Sequence, residues 1–394
     1  MRPDTATWLA KAEKSLVFAP FRLTGPAYDQ DHRHAVPISI GRVDPEALAV
    51  VSYPYPSRFA GADPGFEQLA QRSFVYDDAL AVLWLTHNGE VPKARRIALS
   101  LQALQRPDGC WGFSFTTQGD GFYNAGYIRA GTVAWAAYAL VRYQAHSGDT
   151  AFAGTIERAL LWLQGQTDSS GLVRGGRGRW IDGDTFDPDY VADFVAMEHQ
   201  IDVWFLWQAV LRHDPELADR LLLATAASRM TAAIDRQLWM RDDSRYGQGA
   251  HLGVLDDISA LDAAGTWAAL FDIARDRRDR AEGALRYVER AHAVQVAGWP
   301  GFRPYLPGPP TTWFVEGSLA RVLGWLRLGE HERAEHAFAP VVALACAGDV
   351  PLVYAPRWDT DFPLSPAAAP TLWFLLVGKE LQGKGSVVWA ERSW

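Results

Sequence analysis

Five times along this chain an apolar, aromatic-rich stretch with helical periodicity ends in a short polar turn, and a second helical stretch follows at once. The turns read His87-Asn88-Gly89-Glu90, His146-Ser147-Gly148-Asp149, His213-Asp214-Pro215-Glu216, Asp276-Arg277-Arg278-Asp279 and Leu328-Gly329-Glu330-His331. A sixth apolar run, Thr371 to Val377, ends at Gly378. The unit is a helical hairpin recurring roughly every 50–65 residues. Such a repeat dictates stacking or a ring, because one hairpin cannot bury its own apolar face.

The two helices of each pair differ. Thr132 to Leu140 and Val203 to Trp207 are apolar nearly all round, which requires burial on every side. Lys93 to Leu99, Ile156 to Leu160 and Glu332 to Ala337 carry charges between apolar residues three and four apart, the pattern of a helix with one wet face. The pairs therefore divide into inner and outer helices. Six inner helices need six outer ones, and the amphipathic stretch Thr5 to Val17 supplies the one missing. The expected fold is all-α, an (α/α)6 barrel of six helical hairpins whose N-terminal helix closes the ring. Residues 1–394 then form one toroid domain, for which a 48% apolar composition provides the core.

The connections are asymmetric. Inner-to-outer links are tight turns, whereas outer-to-inner links are long and rich in Gly, Pro and aromatics: Arg106 to Gly126, Thr167 to Asp189, Asp242 to Asp257 and Gly298 to Thr312. Long loops in a compact domain are usually functional, and these all fall at one end of the ring. The turns also serve as a ruler. Counting back about 9–16 residues from each marks one layer, roughly 14–24 Å up each inner helix. Asp77, Asp78, Glu198, Asp202, Asp262 and Glu316 lie in it, on otherwise apolar segments. Buried carboxylates are costly unless they have partners, and convergent ones shift each other's pKa as acid–base chemistry requires.

Glu198, Asp78, Asp77, Glu316 and Asp202 are thus the candidate catalytic groups, Glu198 and Asp202 sharing one helix face. Their ordinary alternative is a first-turn charge that favours the helix dipole. His199, about 100° round the helix from Glu198, reads either as a structural hydrogen-bonding residue or as a substrate contact. Loop aromatics Trp111, Phe113, Phe122, Tyr123, Trp180, Trp299, Tyr305, Trp313 and Trp358 offer ring faces for a sugar, or pin the loops to the barrel. Arg129, Asp262, Asp359 and Asp361 complete the candidate substrate-binding set.

A net charge of −8 without a basic run argues against nucleic acid and anionic membrane as partners, and no run approaches a membrane span. Cys110 and Cys346 are the only cysteines, expected as two buried thiols and too few for a thiolate metal cluster. The single close histidine pair, His32 and His34, reads as solvated loop, so neither metal nor cofactor is expected. The start, Met1-Arg2-Pro3-Asp4, lacks the apolar core of a signal peptide. The expectation is a cytoplasmic protein, or a periplasmic or secreted one whose leader was removed. The oligomeric state is left open.

On Phe74 to Ala81, Glu198-His199-Gln200-Ile201-Asp202, Leu261-Asp262 before Trp267, and Trp313-Phe314-Val315-Glu316-Gly317, the chain resembles the six-hairpin glycosidase-like superfamily. That superfamily includes inverting glycoside hydrolases, polysaccharide lyases and sugar epimerases. The resemblance implies a carbohydrate substrate and hydrolysis of a glycosidic bond, with Glu198 as one partner and Asp77, Asp78 or Glu316 as the other. A lyase or epimerase on the same barrel would use Asn124, Tyr127, Arg129 or His199 instead. Gln105 to Trp111 fits the Q-x3-G-x-W motif of isoprenoid cyclases once, without their acidic motifs. A non-catalytic glycan-binding protein is the remaining alternative.

Overall fold

The computed structural model describes residues 4–23, 28–29, 36–37, 39–55, 69–117, 121–122, 126–182, 185–296, 298–308, 312–347 and 366–389. His32, His34, Tyr123, Asn124, Trp358, Asp359 and Asp361 lie outside them.

A lone helix α1 (Asp4–Ser15) is followed by the pairs α2 (Val75–His87) with α3 (Val91–Leu104) and α4 (Ala130–Ser147) with α5 (Ala153–Gly165). In the third pair α6 (Met197–His213) is inner, and the outer helix is broken into α7 (Pro215–Arg220) and α8 (Leu223–Gln237). The break is at Leu222, whose φ of 52° cannot continue a right-handed helix. In the fourth pair a π-helical turn, Asp262–Thr266, opens α9 (Trp267–Ala274), which turns into α10 (Arg278–Ala291). Then come α11 (Val315–Arg327) with α12 (His331–Ala347), and finally α13 (Ala368–Leu381).

Burial follows the two patterns read from the sequence. Every residue of α2 from Asp77 to Thr86 is buried, whereas α10 buries only Ala281, Ala284, Leu285 and Val288, one stripe at helical spacing. The inner helices pack in order: α2 on α4, α4 on α6, α6 on α9, α9 on α11, α11 on α13, and α13 back on α2. Helix α1 packs on α13 and α12. Tight turns end the inner helices, as where Gly148 takes a φ of 74° that a side chain resists.

The all-α expectation is corrected at the other end. Among the described residues nineteen short strands form eight small sheets, most of them in the long connections. Strands lead directly into inner helices, and each pairs with a strand of the next connection. Ser73 lies opposite Phe115, Arg129 opposite Gly176, Val195 opposite Ala250 and Ser259 opposite Leu306. The Ala368 N–H donates to the Ser52 carbonyl at 2.8 Å, so the segment before α13 is tied to the segment before α2. This chain of pairings holds the first turns of the inner helices at one height. The cysteines are unbridged; Cys110 is buried but Cys346 is exposed, against expectation. Among the described residues no helix is long and apolar enough to cross a membrane.

Candidate active site

Because strands enter α2, α4, α6 and the π turn in register, and the Phe314 N–H before α11 bonds the Phe302 carbonyl, first-turn residues converge. Tyr76 and Asp77 sit on α2, Glu198 on α6, Asp262 at the start of the π turn and Glu316 on α11. At this level a cavity of about 850 Å³ is lined by Tyr76, Trp135, Glu198, His199, Asp202 and Trp267. Phe113, Tyr127, Arg129, His251 and Tyr305 line its mouth side.

Glu198 is deep in the protein, yet 40% of its side chain is exposed because it faces this cavity. Burial pushes its carboxyl well above the ordinary range, and the charge and hydrogen bond of Asp262 push it further. Burial also raises Asp262, but the Ala263 N–H, 2.6 Å from Oδ1, and the bond from Glu198 hold it back. Both carboxyls are raised, so the pair holds a proton between them. Glu316 is only 5% exposed, and burial first, then Asp77 and Asp262, push it up to about 8. The helix-terminal dipole favours such carboxylates as anions, but here desolvation wins.

Two hydrogen bonds orient Glu316. The Trp373 Nε1–H donates to Tyr76 Oη at 2.7 Å, so the Tyr76 hydroxyl must direct its own proton to Glu316 Oε1, 2.6 Å away. Burial and the neighbouring Glu316 charge push the Tyr76 phenol up, so it stays a donor. His199 Nε2 is 3.4 Å from Glu198 Oε1, and burial, then Arg129, lower its pKa to about 3, leaving a neutral ring. Asp202 is raised by burial, then by Glu198 and Asp262. Trp135 hydrogen-bonds Asp202, and among the described residues two other buried atoms around the cavity meet no hydrogen-bond partner: His199 Nδ1 and the Trp267 indole nitrogen. Buried polar groups are normally paired, so a polar ligand is the expected complement.

The remaining sequence candidates separate. Asp78 accepts from the Val50 N–H at 2.8 Å and Ser73 Oγ at 3.1 Å and is fully buried, so it ties α2 to the segments before it. Asp77 is 4% exposed, and burial lifts it to about 7 against a bond from Ser52. Trp111 and Trp313 are buried, their indoles bonded to the Leu101 carbonyl at 2.6 Å and Ser318 Oγ at 2.9 Å. Both pin connections to the helices instead of facing the mouth. Trp180 is 36% exposed on the Gly176–Asp182 strand and packs on Phe186, and Trp299 is half-buried in the Trp299–Phe302 strand; neither lines the cavity. Arg129 does, with Nη1 held by the Ile128, Arg177 and Gly178 carbonyls. Tyr76, Trp373 and Gly131 went unread in the sequence. Tyr76 had a usable signal, a phenol beside two acids on an apolar helix; Trp373 had none.

No family model matches this sequence, and no curated protein does. Solved structures match over most of its length. A wild-type glycosidase aligns with a TM-score of 0.60 at 14% identity, over 87% of this chain and 93% of that one. A sugar epimerase from a ruminal bacterium gives 0.57 at 13% identity, over 84% and 92%. A rhamnosidase from Klebsiella oxytoca, with rhamnose bound, gives 0.53 at 15% identity, over 78% of this chain and 57% of that one. At such identities it is the architecture that is shared, and the chain has the six-hairpin glycosidase-like fold.

Proposed function

We propose that the helical pairs of residues 1–394 form one closed (α/α)6 barrel, with α1 as the sixth outer helix, and that the protein hydrolyses glycosidic bonds. The observation that carries this reading is Glu198: a cavity-facing carboxyl that burial and the neighbouring Asp262 push up, with a second glutamate, Glu316, in the same layer. The named activities of the structural neighbours (glycosidase, epimerase, rhamnosidase) all concern sugars, which supports a carbohydrate substrate.

In this reading Glu198 is the general acid. It gives its proton to the glycosidic oxygen as the bond to the anomeric carbon breaks. Glu316 is the general base: Tyr76 occupies Oε1, which leaves Oε2 to take a proton from the water that attacks that carbon. Since Glu316 is pushed up to about 8, kcat/KM should rise with pH up to that value, as the base becomes ionised. Glu198→Gln and Glu316→Gln should each cost at least roughly 10²-fold in kcat without unfolding the protein. The assay is release of reducing ends from a panel of oligo- and polysaccharides. Near-normal turnover by folded Glu198→Gln would sink the assignment.

One observation favours a second reading. His199 lines the cavity 3.4 Å from Glu198 and its Nδ1 meets no partner, the placement a proton-transfer group in sugar epimerisation would have. In that case His199→Ala abolishes turnover, and NMR of the product shows an inverted carbon with no new reducing end. Formation of an ultraviolet-absorbing unsaturated uronate would point to a lyase instead.

A further inference from the structure

The interior of the ring beneath the cavity is occupied by the chain's own C-terminal segment, Val387-Val388-Trp389. Trp389 is 2% exposed and packs among the inner-helix aromatics. Its ring stacks on Phe205 at 4.8 Å and 6°, and meets Trp135 at 5.0 Å, Trp267 at 5.2 Å and Trp373 at 6.3 Å. Trp135 and Trp267 line the catalytic cavity, while Trp389 itself lines a second cavity of about 310 Å³ with Arg142, Gln208, Arg212 and His213. One indole thus stands between the two. The segment is held there by specific bonds: the Trp389 N–H donates to Tyr138 Oη at 3.0 Å, and Arg327 donates to the Val388 and Trp389 carbonyls at 2.6 and 3.2 Å. The Trp389 backbone is left-handed, with φ 49°, a strained state for a bulky residue that persists only where its surroundings over-determine it.

We propose that Trp389 is a positioning residue of the catalytic centre, packing beneath Trp135 and Trp267 and bracing Trp373 so that its indole N–H stays on Tyr76 and Tyr76 stays on Glu316. The proposal rests on the reading of Glu316 as the base. Its test therefore includes a readout that needs no substrate. Glutamate labelled with ¹³C at the side-chain carboxyl is titrated by NMR in the full chain, the Glu316 signal being assigned by its loss in Glu316→Gln. The variants are Trp389→Ala, Trp389→Leu and Trp389→Phe. Removing the indole lets water reach the aromatic layer from below and weakens the burial that dominates Glu316, whose charged neighbours Asp77 and Asp262 are unchanged.

The expected result is that the Glu316 midpoint falls towards the ordinary glutamate range in Trp389→Ala and Trp389→Leu, whereas Trp389→Phe keeps it. kcat should fall on the order of 10²-fold in the first two with KM changed far less, as for a misplaced catalytic group. Either small variant, folded by circular dichroism and with an unmoved Glu316 titration, overturns the proposal. If the wild type releases no sugar, the hydrolase reading fails on its own, and the titration still decides the role of Trp389.

Discussion

Gly131 determines how closely α4 can approach the acids of α6. A Cβ built there would stand 2.7 Å from both Asp202 Oδ2 and His199 Cδ2, closer than any real contact allows. Alanine is the better helix former by about 1 kcal/mol, so Gly131→Ala sets a small backbone gain against displaced site residues. The expected outcome is a folded protein with a melting temperature within a few degrees of wild type and kcat reduced about tenfold or more. Wild-type kinetics in that variant would show that Asp202 and His199 need not stand where they do. At this scale the sequence is partly legible. The turn-to-acid spacing picks out Glu198, Asp202, Asp262 and Glu316, but it cannot separate Asp77 from Asp78. A step of about 100° round the helix sends one to Ser52 and the other to Val50 and Ser73. Nor can composition separate a Trp that pins a loop from one that faces a cavity. Trp111 is chosen for its loop and is buried; Trp267, named only as following Asp262, lines the cavity.

At the scale of the element, the π turn Asp262–Thr266 is the departure from regularity closest to the chemistry. Single π turns often occur at functional sites. Here Gly265 lets the turn lie against α10, where a Cβ would meet Val288 Cγ1 at 2.5 Å and the Ala284 carbonyl at 2.6 Å. The extra residue of the π turn sets the direction in which Asp262 leaves the helix. Asp262→Asn removes the charge that helps push Glu198 up, so the variant should keep its far-UV circular dichroism and lose kcat about tenfold or more. Retained activity would mean that Glu198 does not depend on Asp262. Nothing in Leu261 to Trp267 announces a π turn, because that sequence suits an α-helix equally well. The helical pairs themselves are plain from periodicity. Most of the strands are not, since two or three residues carry too little alternation, and those that enter the inner helices pair with partners in the next connection. The break at Leu222 is hidden for a similar reason: neither Gly nor Pro marks it.

For the whole molecule, this layer of buried acids predicts how stability depends on pH. The sign follows from which state holds the protons. Asp77 at about 7 and Glu316 at about 8 stay protonated in the folded chain after the unfolded chain has released those protons. Their contribution is therefore greatest at low pH and is lost as pH rises through the folded values. Buried and half-buried histidines work in the opposite direction. His199 at about 3, and His87 and His292 at about 4, are neutral in the fold while the unfolded chain still binds protons, so they raise stability with pH. That effect ends near the ordinary histidine value, about 6.5. Above it the acids act without this opposition, at up to about 1.4 kcal/mol per pH unit for each group. Cys110, raised by burial, adds to the fall at the alkaline end. The melting temperature should therefore drop by several degrees between pH 6.5 and 8.5, and Glu316→Gln, which has no proton to release, should flatten part of that slope. Calorimetry of the two proteins across this window decides it. A flat or rising wild-type curve would mean that Asp77 and Glu316 are ionised in the fold at neutral pH, and the rise of kcat/KM towards pH 8 expected of Glu316 as base would then be lost with it.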